Sequence, residues 1–180
     1  MKKDGRIIIG YAGNSRRWQG VDFLIDVYKK LSARRNDFKL ALLMSETKGL
    51  KGAKESGVEI VGPLPNQDVP KFLVDCDILV VPRPDTAVTR LSFPSKLMTY
   101  LAMGKAVVAS RIGDMDKIIV SGVNGLIYTP GNVEELMGCL TSLRDPDLRA
   151  RLGAAAVKTA QMFSWERQSA LLIDSIRKIM

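Results

Sequence analysis

The amino-acid sequence predicts an α/β fold, a doubly wound parallel sheet of about six strands with further helices at the C-terminal end. Three observations carry this expectation. Short apolar runs of strand type alternate with segments of helical period along the whole chain, the pattern of successive β-α-β units joined by right-handed crossovers. The stretch 93–110, Phe-Pro-Ser-Lys-Leu-Met-Thr-Tyr-Leu-Ala-Met-Gly-Lys-Ala-Val-Val-Ala-Ser, reads as a loop, a short helix, a glycine stop and a strand covered on both faces. A glycine-bearing turn, Gly10-Tyr-Ala-Gly-Asn-Ser-Arg-Arg-Trp-Gln-Gly20, separates the first strand from the first helix, where a parallel sheet offers a helix amino end to an anion.

Taken in order, residues 6–11 form the first strand. Residues 20–33 form the first helix, with Val21, Leu24, Ile25, Val27, Tyr28 and Leu31 at helical spacing. Residues 38–44 are a second strand, and 45–57 a loop with a short helix. Residues 58–61 are a third strand, 67–74 a short helix with Val69, Phe72 and Leu73 inward, and 77–81 a fourth strand that Pro82 ends. The segment 82–93 reads as a long loop at the carboxyl edge of the sheet, and loops of that length in a compact domain are often functional. In the helix that follows, Pro94 suits the first turn, where a missing N–H costs little. Leu97, Leu101 and Ala102 supply the apolar face, and Gly104 accepts the left-handed conformation that stops the helix. Residues 106–109 are a strand, 114–120 a short helix, 121–125 a turn in which Asn124-Gly125 suits positive φ, and 126–128 a last strand. Helices follow at 132–143, 146–162 and 165–179, with Asn132, Asp145 and Ser164 as caps.

Composition narrows the chemistry. At 180 residues the chain suits a single domain, 1–180, able to bury its own core. It contains no histidine, which excludes a histidine general base, a Ser-His dyad and any histidine metal site within this chain. No apolar run approaches the ~18 residues of a spanning helix, and Ile7-Ile-Ile9 is too short for a secretory signal and reads as a strand. Cys76 and Cys139 lie far apart in apolar surroundings, so they read as buried free thiols in a cytosolic protein. The net charge of +8 reads mostly as solvated helix faces, with attraction to nucleotide diphosphates or an anionic membrane surface as the sharper alternative. The basic residues are not interleaved with aromatics, and nucleic acid is not an expected partner.

Four segments are candidates for chemistry. In the turn 10–20, the glycines let the backbone approach a ligand, the following helix offers unpaired N–H groups, and Arg16 and Arg17 can clamp phosphate oxygens. An ordinary βα turn with exposed arginines explains the same residues. In Val58-Glu-Ile-Val-Gly-Pro-Leu-Pro65, Gly62 lets a flat base lie against the backbone, though a strand-ending turn accounts equally well for Gly-Pro. In the loop and helix 83–105, Lys96 stands in the first helical turn, where a cation opposes the helix dipole. That placement suggests an anionic ligand rather than helix stability, the alternative being a surface lysine. Arg83, Asp85 and Arg90 are further polar candidates on the loop. The fourth segment, 121–130, is a structural turn and strand.

These segments together resemble the family 4 (group 1) retaining glycosyltransferases of GT-B architecture. The stretch 94–110 is similar to the family pattern Pro-Ser-Lys-Leu-x-Glu-Tyr-x-Ala-x-Gly-Lys-Pro-Val-Val-Ala-Ser, with Thr99 where the family has Glu and Ala106 where it usually has Pro. The turn 13–20 is similar to the Gly-Asn-x-x-x-x-Gln-Gly subset of the family's diphosphate-gripping Gly-Arg-x-x-x-x-Lys-Gly segment, so Asn14 and Gln19 replace the Arg and Lys. Of the two family glutamates eight residues apart, one holding ribose hydroxyls and the other approaching the sugar, neither is retained. Leu91 and Thr99 occupy those positions. Residues 121–130 resemble the family's Gly-x-Asn-Gly turn and strand, and Phe163-Ser-Trp-Glu166 its last-helix opening, with Ser164 capping and Trp165 packing.

The resemblance implies a Rossmann-like domain forming one half of a GT-B fold, the donor-nucleotide half. The nucleotide-sugar-binding residues it implies are Gly13, Asn14, Arg16, Arg17, Gln19, Gly20, Gly62, Leu64, Phe93, Pro94, Ser95, Lys96, Leu97 and Thr99, with Arg16, Arg17 and Lys96 supplying positive charge. The donor is a substrate and no cofactor or metal is expected. The expected partners are a nucleotide sugar, carried by UDP or GDP, and an N-terminal acceptor domain in cis or as a separate chain. The chain alone is expected to be inactive, and its location cytoplasmic or membrane-peripheral. A non-catalytic α/β assembly or regulatory module stays open as the alternative, because both glutamates are replaced. A dinucleotide-dependent oxidoreductase is disfavoured, since the first turn lacks Gly-x-Gly-x-x-Gly.

Overall fold

The computed structural model describes residues 4–46 and 56–179. Among them a single six-stranded sheet runs through the molecule. The strands are β1 (Ile7–Gly13), β2 (Phe38–Met44), β3 (Glu59–Val61), β4 (Ile78–Val81), β5 (Ala106–Ser110) and β6 (Leu126–Tyr128). All five pairings are parallel and the spatial order is β3-β2-β1-β4-β5-β6. Strand order therefore reverses between β1 and β4, the point at which the carboxyl edge of a doubly wound sheet opens a crevice.

The helices are α1 (Val21–Arg34), α2 (Val69–Asp75), α3 (Ala87–Leu91), α4 (Ser95–Ala102), α5 (Met115–Ile118), α6 (Val133–Ser142), α7 (Pro146–Met162) and α8 (Trp165–Ile179). Alternate strand residues point to opposite faces, so two cores form. Ile9, Tyr11, Leu40, Leu42, Ile78 and Val80 face Leu24, Val27 and Leu31 of α1 and Leu136 and Leu140 of α6. Ile8, Ala41, Leu43, Leu79, Val81 and Val107 face Phe72 and Leu73 of α2, Leu97 and Leu101 of α4, and Ala156 of α7. Coverage on both sides is why the strands carry apolar residues at successive positions.

Several expectations need correction. The first strand, expected at 6–11, begins at Ile7 and is extended by Ala12 and Gly13, small residues that announce no strand but pair in register with Leu43 and Met44 of β2. The long loop 82–93 contains α3, started by a capping box in which the Thr86 side chain accepts from the Thr89 N–H and the Thr89 side chain accepts from the Thr86 N–H. Pro94 is not in the first helical turn but precedes it as N-cap, at φ −81° and ψ 100°. On α4 the inward face is Leu97, Tyr100 and Leu101, while Ala102 is exposed.

The turn before β6 uses positive φ at Gly122 and not at Asn124 or Gly125. Asn124 is instead a buried side-chain anchor. Its Nδ2 donates to the Ile118 carbonyl and the Thr159 hydroxyl, both at 2.8 Å, and its Oδ1 accepts from the Val120 N–H at 2.8 Å. Trp165 does not pack into a core and is 87 % exposed. The short helix expected within 45–57 falls largely on residues 47–55, outside the described residues. The caps hold as expected: Asn132 accepts from the Glu135 N–H, Asp145 from the Asp147 N–H and Ser164 from the Arg167 N–H.

Candidate functional site

At the switch point a hollow of about 380 Å³ opens between the carboxyl ends of β1 and β2 and the amino end of α4. Ala12 and Gly13 form its wall on β1, and Leu43, Met44 and Ser45 its wall on β2. Pro63, Leu64 and Asn66 form one rim, and Ser95, Lys96, Thr99 and Tyr100 of α4 the other. Neither α4 nor α1 has a side-chain cap at its amino end, so first-turn N–H groups are left for a ligand or water.

Lys96 is bent inward from the first turn of α4. Its ammonium donates to the Tyr11 hydroxyl and to the Gln19 Oε1, each at 2.8 Å, and lies 4.0 Å from the centre of the Tyr11 ring. Tyr11 in turn donates to the Asn14 carbonyl at 3.0 Å. Gly13 makes this posture possible, because a Cβ there would lie 2.6 Å from the Lys96 nitrogen. Burial, and then the nearby Arg83 guanidinium, push the Lys96 ammonium down to about 7. Burial pushes the phenols of Tyr11 and Tyr100 far up, so both stay neutral. The Tyr100 hydroxyl accepts from the Ala12 N–H at 2.7 Å and pins α4 to β1.

Arg83, 4 % exposed, follows β4. Its two terminal nitrogens donate to the Ser92 carbonyl at 2.5 Å and the Ser92 hydroxyl at 2.6 Å, tying the ends of the α3 segment together. Its Nε is buried with no hydrogen-bond partner. Gly20 brings the start of α1 against this same segment. It sits at φ 72°, and a Cβ there would lie 1.7 Å from the Pro82 carbonyl oxygen.

Of the residues read from the sequence, the hollow gathers Gly13, Leu64, Ser95, Lys96 and Thr99, with Gln19 bonded to Lys96. Asn14 stands behind Tyr11 and accepts from the Arg16 N–H at 3.2 Å. Arg16 and Arg17 are exposed on the 3-10 turn Arg17–Gln19 and its approach, with Arg16 over the Trp18 ring at 5.2 Å. Neither lines the hollow. Gly62 lies outside it, where a Cβ would meet nothing within 4 Å. Phe93 lines a neighbouring groove with Ser95, Thr99, Phe163 and Trp165. Pro94 caps α4, and Leu97 is core. Leu91, in one of the two positions where the resemblance places a glutamate, is 91 % exposed at the end of α3. Sequence reasoning missed Tyr11, Tyr100, Ser45 and Asn66. An aromatic in a buried strand or helix face reads as core, and only the hydroxyl at its tip marks these as site residues. Among the described residues no three of His, Cys, Asp and Glu converge as metal ligands would. No described helix is long and apolar enough to cross a membrane.

A 3-2-1-4-5-6 parallel sheet with two uncapped helix amino ends and an inward lysine at its switch point defines an α/β domain of Rossmann type. The chain belongs to the glycosyl transferases group 1, whose family model matches residues 6–145. It is 29 % identical over 169 residues to a glycosyltransferase of Methanocaldococcus jannaschii, covering 89 % of this chain and 44 % of that protein. It superposes at TM-score 0.73 and 19 % identity on the C-terminal domain of a group 1 glycosyl transferase from Francisella tularensis, covering 88 % of this chain and 86 % of that domain. It superposes at TM-score 0.78 and 20 % identity on Anabaena HepE in complex with UDP and glucose, covering 97 % of this chain and 49 % of that one. The chain thus spans less than half the length of the curated relatives it matches.

Proposed function

We infer that this chain is the donor-nucleotide half of a glycosyltransferase, which binds a nucleoside diphosphate sugar at the switch-point hollow. The observation that carries the reading is Lys96. An ammonium is drawn into the hollow by two neutral oxygen acceptors, beneath the open amino end of α4 and with no carboxylate partner among the described residues. The pyrophosphate lies across Gly13, Ser95 and Lys96, and the base turns toward Met44, Pro63 and Leu64. UDP is the carrier favoured over GDP, supported by the UDP in the Anabaena structure. The sugar passes to a hydroxyl acceptor with retained configuration. Charge growing on the departing diphosphate is met by Lys96 and helix N–H groups, a role that needs no metal or cofactor. The acceptor is supplied by a second domain, in cis or as a separate chain, and the 180-residue chain alone transfers nothing. A peripheral, cytoplasmic contact with an anionic membrane fits the +8 charge.

A non-catalytic module is the second reading, favoured by Leu91 and Thr99 at the two glutamate positions. Titration of amide resonances with UDP and with GDP separates the two. The transferase reading expects shifts at residues 12–20 and 94–97, and Lys96→Met weakens binding by about tenfold or more, the worth of a charge-assisted hydrogen bond. No shift with either nucleotide at millimolar concentration overturns it.

A further inference from the structure

Two residues far from Lys96 in sequence fix where its nitrogen stands. The nitrogen, the Tyr11 hydroxyl and the Gln19 Oε1 form a closed triangle with edges of 2.8, 2.8 and 3.3 Å. An ammonium carries donors only, so the atom that Gln19 turns toward it is the carbonyl oxygen. Both tethers stand on fixed ground. Tyr11 is buried in β1, paired in register with Leu42 of β2, and its hydroxyl donates to the Asn14 carbonyl at 3.0 Å. Gln19 ends the 3-10 turn, and Gly20 after it lies close against the Pro82 carbonyl. Without these tethers a half-buried lysine in the first turn of α4 swings outward, because its charge opposes the helix dipole and its long side chain loses much freedom when held. Lys96 lines the hollow, whereas neither Tyr11 nor Gln19 does. Both tethers are also neutral. They take two of the three N–H groups of the ammonium and leave the third, and they leave its charge uncancelled. A carboxylate in the place of Gln19 would hold the nitrogen equally well but would neutralise the charge that a diphosphate needs.

We propose that Gln19 and Tyr11 are positioning residues, which hold the Lys96 ammonium in the hollow with one N–H free for the diphosphate and do not touch the ligand themselves. The inference rests on the donor-site reading. It changes the part that the resemblance gives to Gln19, from a grip on the diphosphate to a grip on the lysine. Binding then needs no ordering of a long side chain, a difference of about twofold to tenfold in affinity.

Amide-shift titrations at pH 6 with UDP and with uridine, on the native chain, Gln19→Leu, Lys96→Met and the double variant, test this. Gln19→Leu keeps most of the bulk and removes the acceptor. It is expected to weaken UDP by about twofold to tenfold and to leave uridine, which has no phosphate, unchanged. In the Lys96→Met background the same change is expected to do nothing, because a residue that acts through the lysine then has nothing to act on. Gln19→Glu restores an acceptor and is nevertheless expected to weaken UDP at least as much as Gln19→Leu. Posture has its own readout. The Tyr11 ring centre lies 4.0 Å from the Lys96 nitrogen, so the ring displaces the resonances of the lysine tip. Tyr11→Phe keeps the ring and removes the hydroxyl, and in it, as in Gln19→Leu, those resonances are expected to move toward the values of an exposed lysine. Should Tyr11→Phe fail to fold, Gln19→Leu carries the test alone. Additive losses from Gln19→Leu and Lys96→Met, equal losses for uridine and UDP, or unmoved lysine resonances overturn the positioning role and leave the donor-site reading standing. Failure of the native chain to bind UDP or GDP overturns both.

Discussion

At the scale of the residue, two glycines in one turn do different work, and their substitutions separate binding from folding. A Cβ on Gly13 would meet side chains and no backbone, the Lys96 nitrogen at 2.6 Å, the Tyr11 hydroxyl at 2.7 Å and the Tyr11 ring at 3.1 Å. Gly13→Ala is therefore expected to displace the lysine and weaken UDP binding severalfold, with a loss of stability from its φ of 156° that is smaller than that of Gly20→Ala. A Cβ on Gly20 would lie 1.7 Å from the Pro82 carbonyl, backbone that cannot swing aside, at a φ of 72°. Gly20→Ala is expected to destabilise the chain by about 3 kcal/mol or more in chemical denaturation. Equal effects of the two on stability would contradict this division. The sequence marks the turn as a candidate for ligand contact, and it reaches the hollow through Gly13, but the reason for Gly13 is not legible there. Its space is filled by a lysine 83 residues further on, a fact about tertiary structure alone. Lys96 was legible because a cation in the first turn of a helix works against the dipole. Arg16 and Arg17 were judged by proximity in sequence, and the turn carries both to the surface.

At the scale of the element, segments with an unbroken pattern or a cap are legible in the sequence, and the short helix α3 is not. The bounds 38–44, 126–128, 146–162 and 165–179 match their elements, because each carries an unbroken pattern or a cap. α3 escaped notice because five residues make little more than a turn, too few to show a period of 3.6. Its signal was the Thr86 and Thr89 pair, a capping box with threonine in the position where glutamate or glutamine is usual. Asn124 shows the opposite failure. Asn-Gly announces a turn, and the turn is there, yet the asparagine serves α7 rather than the turn's dihedral angles. Its amide joins α5, the β6 approach and Thr159. Asn124→Ala is expected to leave the Ile118 carbonyl and the Val120 N–H without partners in a buried site, at a cost of about 2–3 kcal/mol. Urea denaturation checks it. Asn124→Asp is expected to cost as much or more, since it keeps the acceptor, removes the donor and introduces a buried charge. A loss under about 0.5 kcal/mol for alanine would mean that water enters and satisfies the freed groups.

At the scale of the whole molecule, alternation of strands and helices was enough to foresee the doubly wound sheet. The sequence also points to an exposed apolar face on the last helix, with Leu171, Leu172, Ile176 and Ile179, and all four are exposed on α8. Trp165, Leu172, Ile176 and Ile179 fall on one stripe at helical spacing, as core-facing residues do. Yet they are 87, 62, 49 and 86 % exposed, and the helix has no buried residue. A 15-residue helix without packing is marginal in water, so α8 depends on little beyond its Ser164 cap and the Lys178–Asp174 pair. Two results are expected. Amide hydrogens of α8 exchange far faster than those of α7, which is anchored by Leu152, Ala156 and Thr159 and opens only with larger units of the fold. Leu172→Gln with Ile176→Gln shifts the stability of the chain by less than about 0.5 kcal/mol, the range of substitutions that lose no packing. The same pair of changes at Leu24 and Leu31 of α1, both buried, is expected to prevent folding. Slow exchange in α8, or a loss of about 2 kcal/mol from the glutamine pair, would show that this stripe is held by the domain itself, and the contrast between α1 and α8 would vanish.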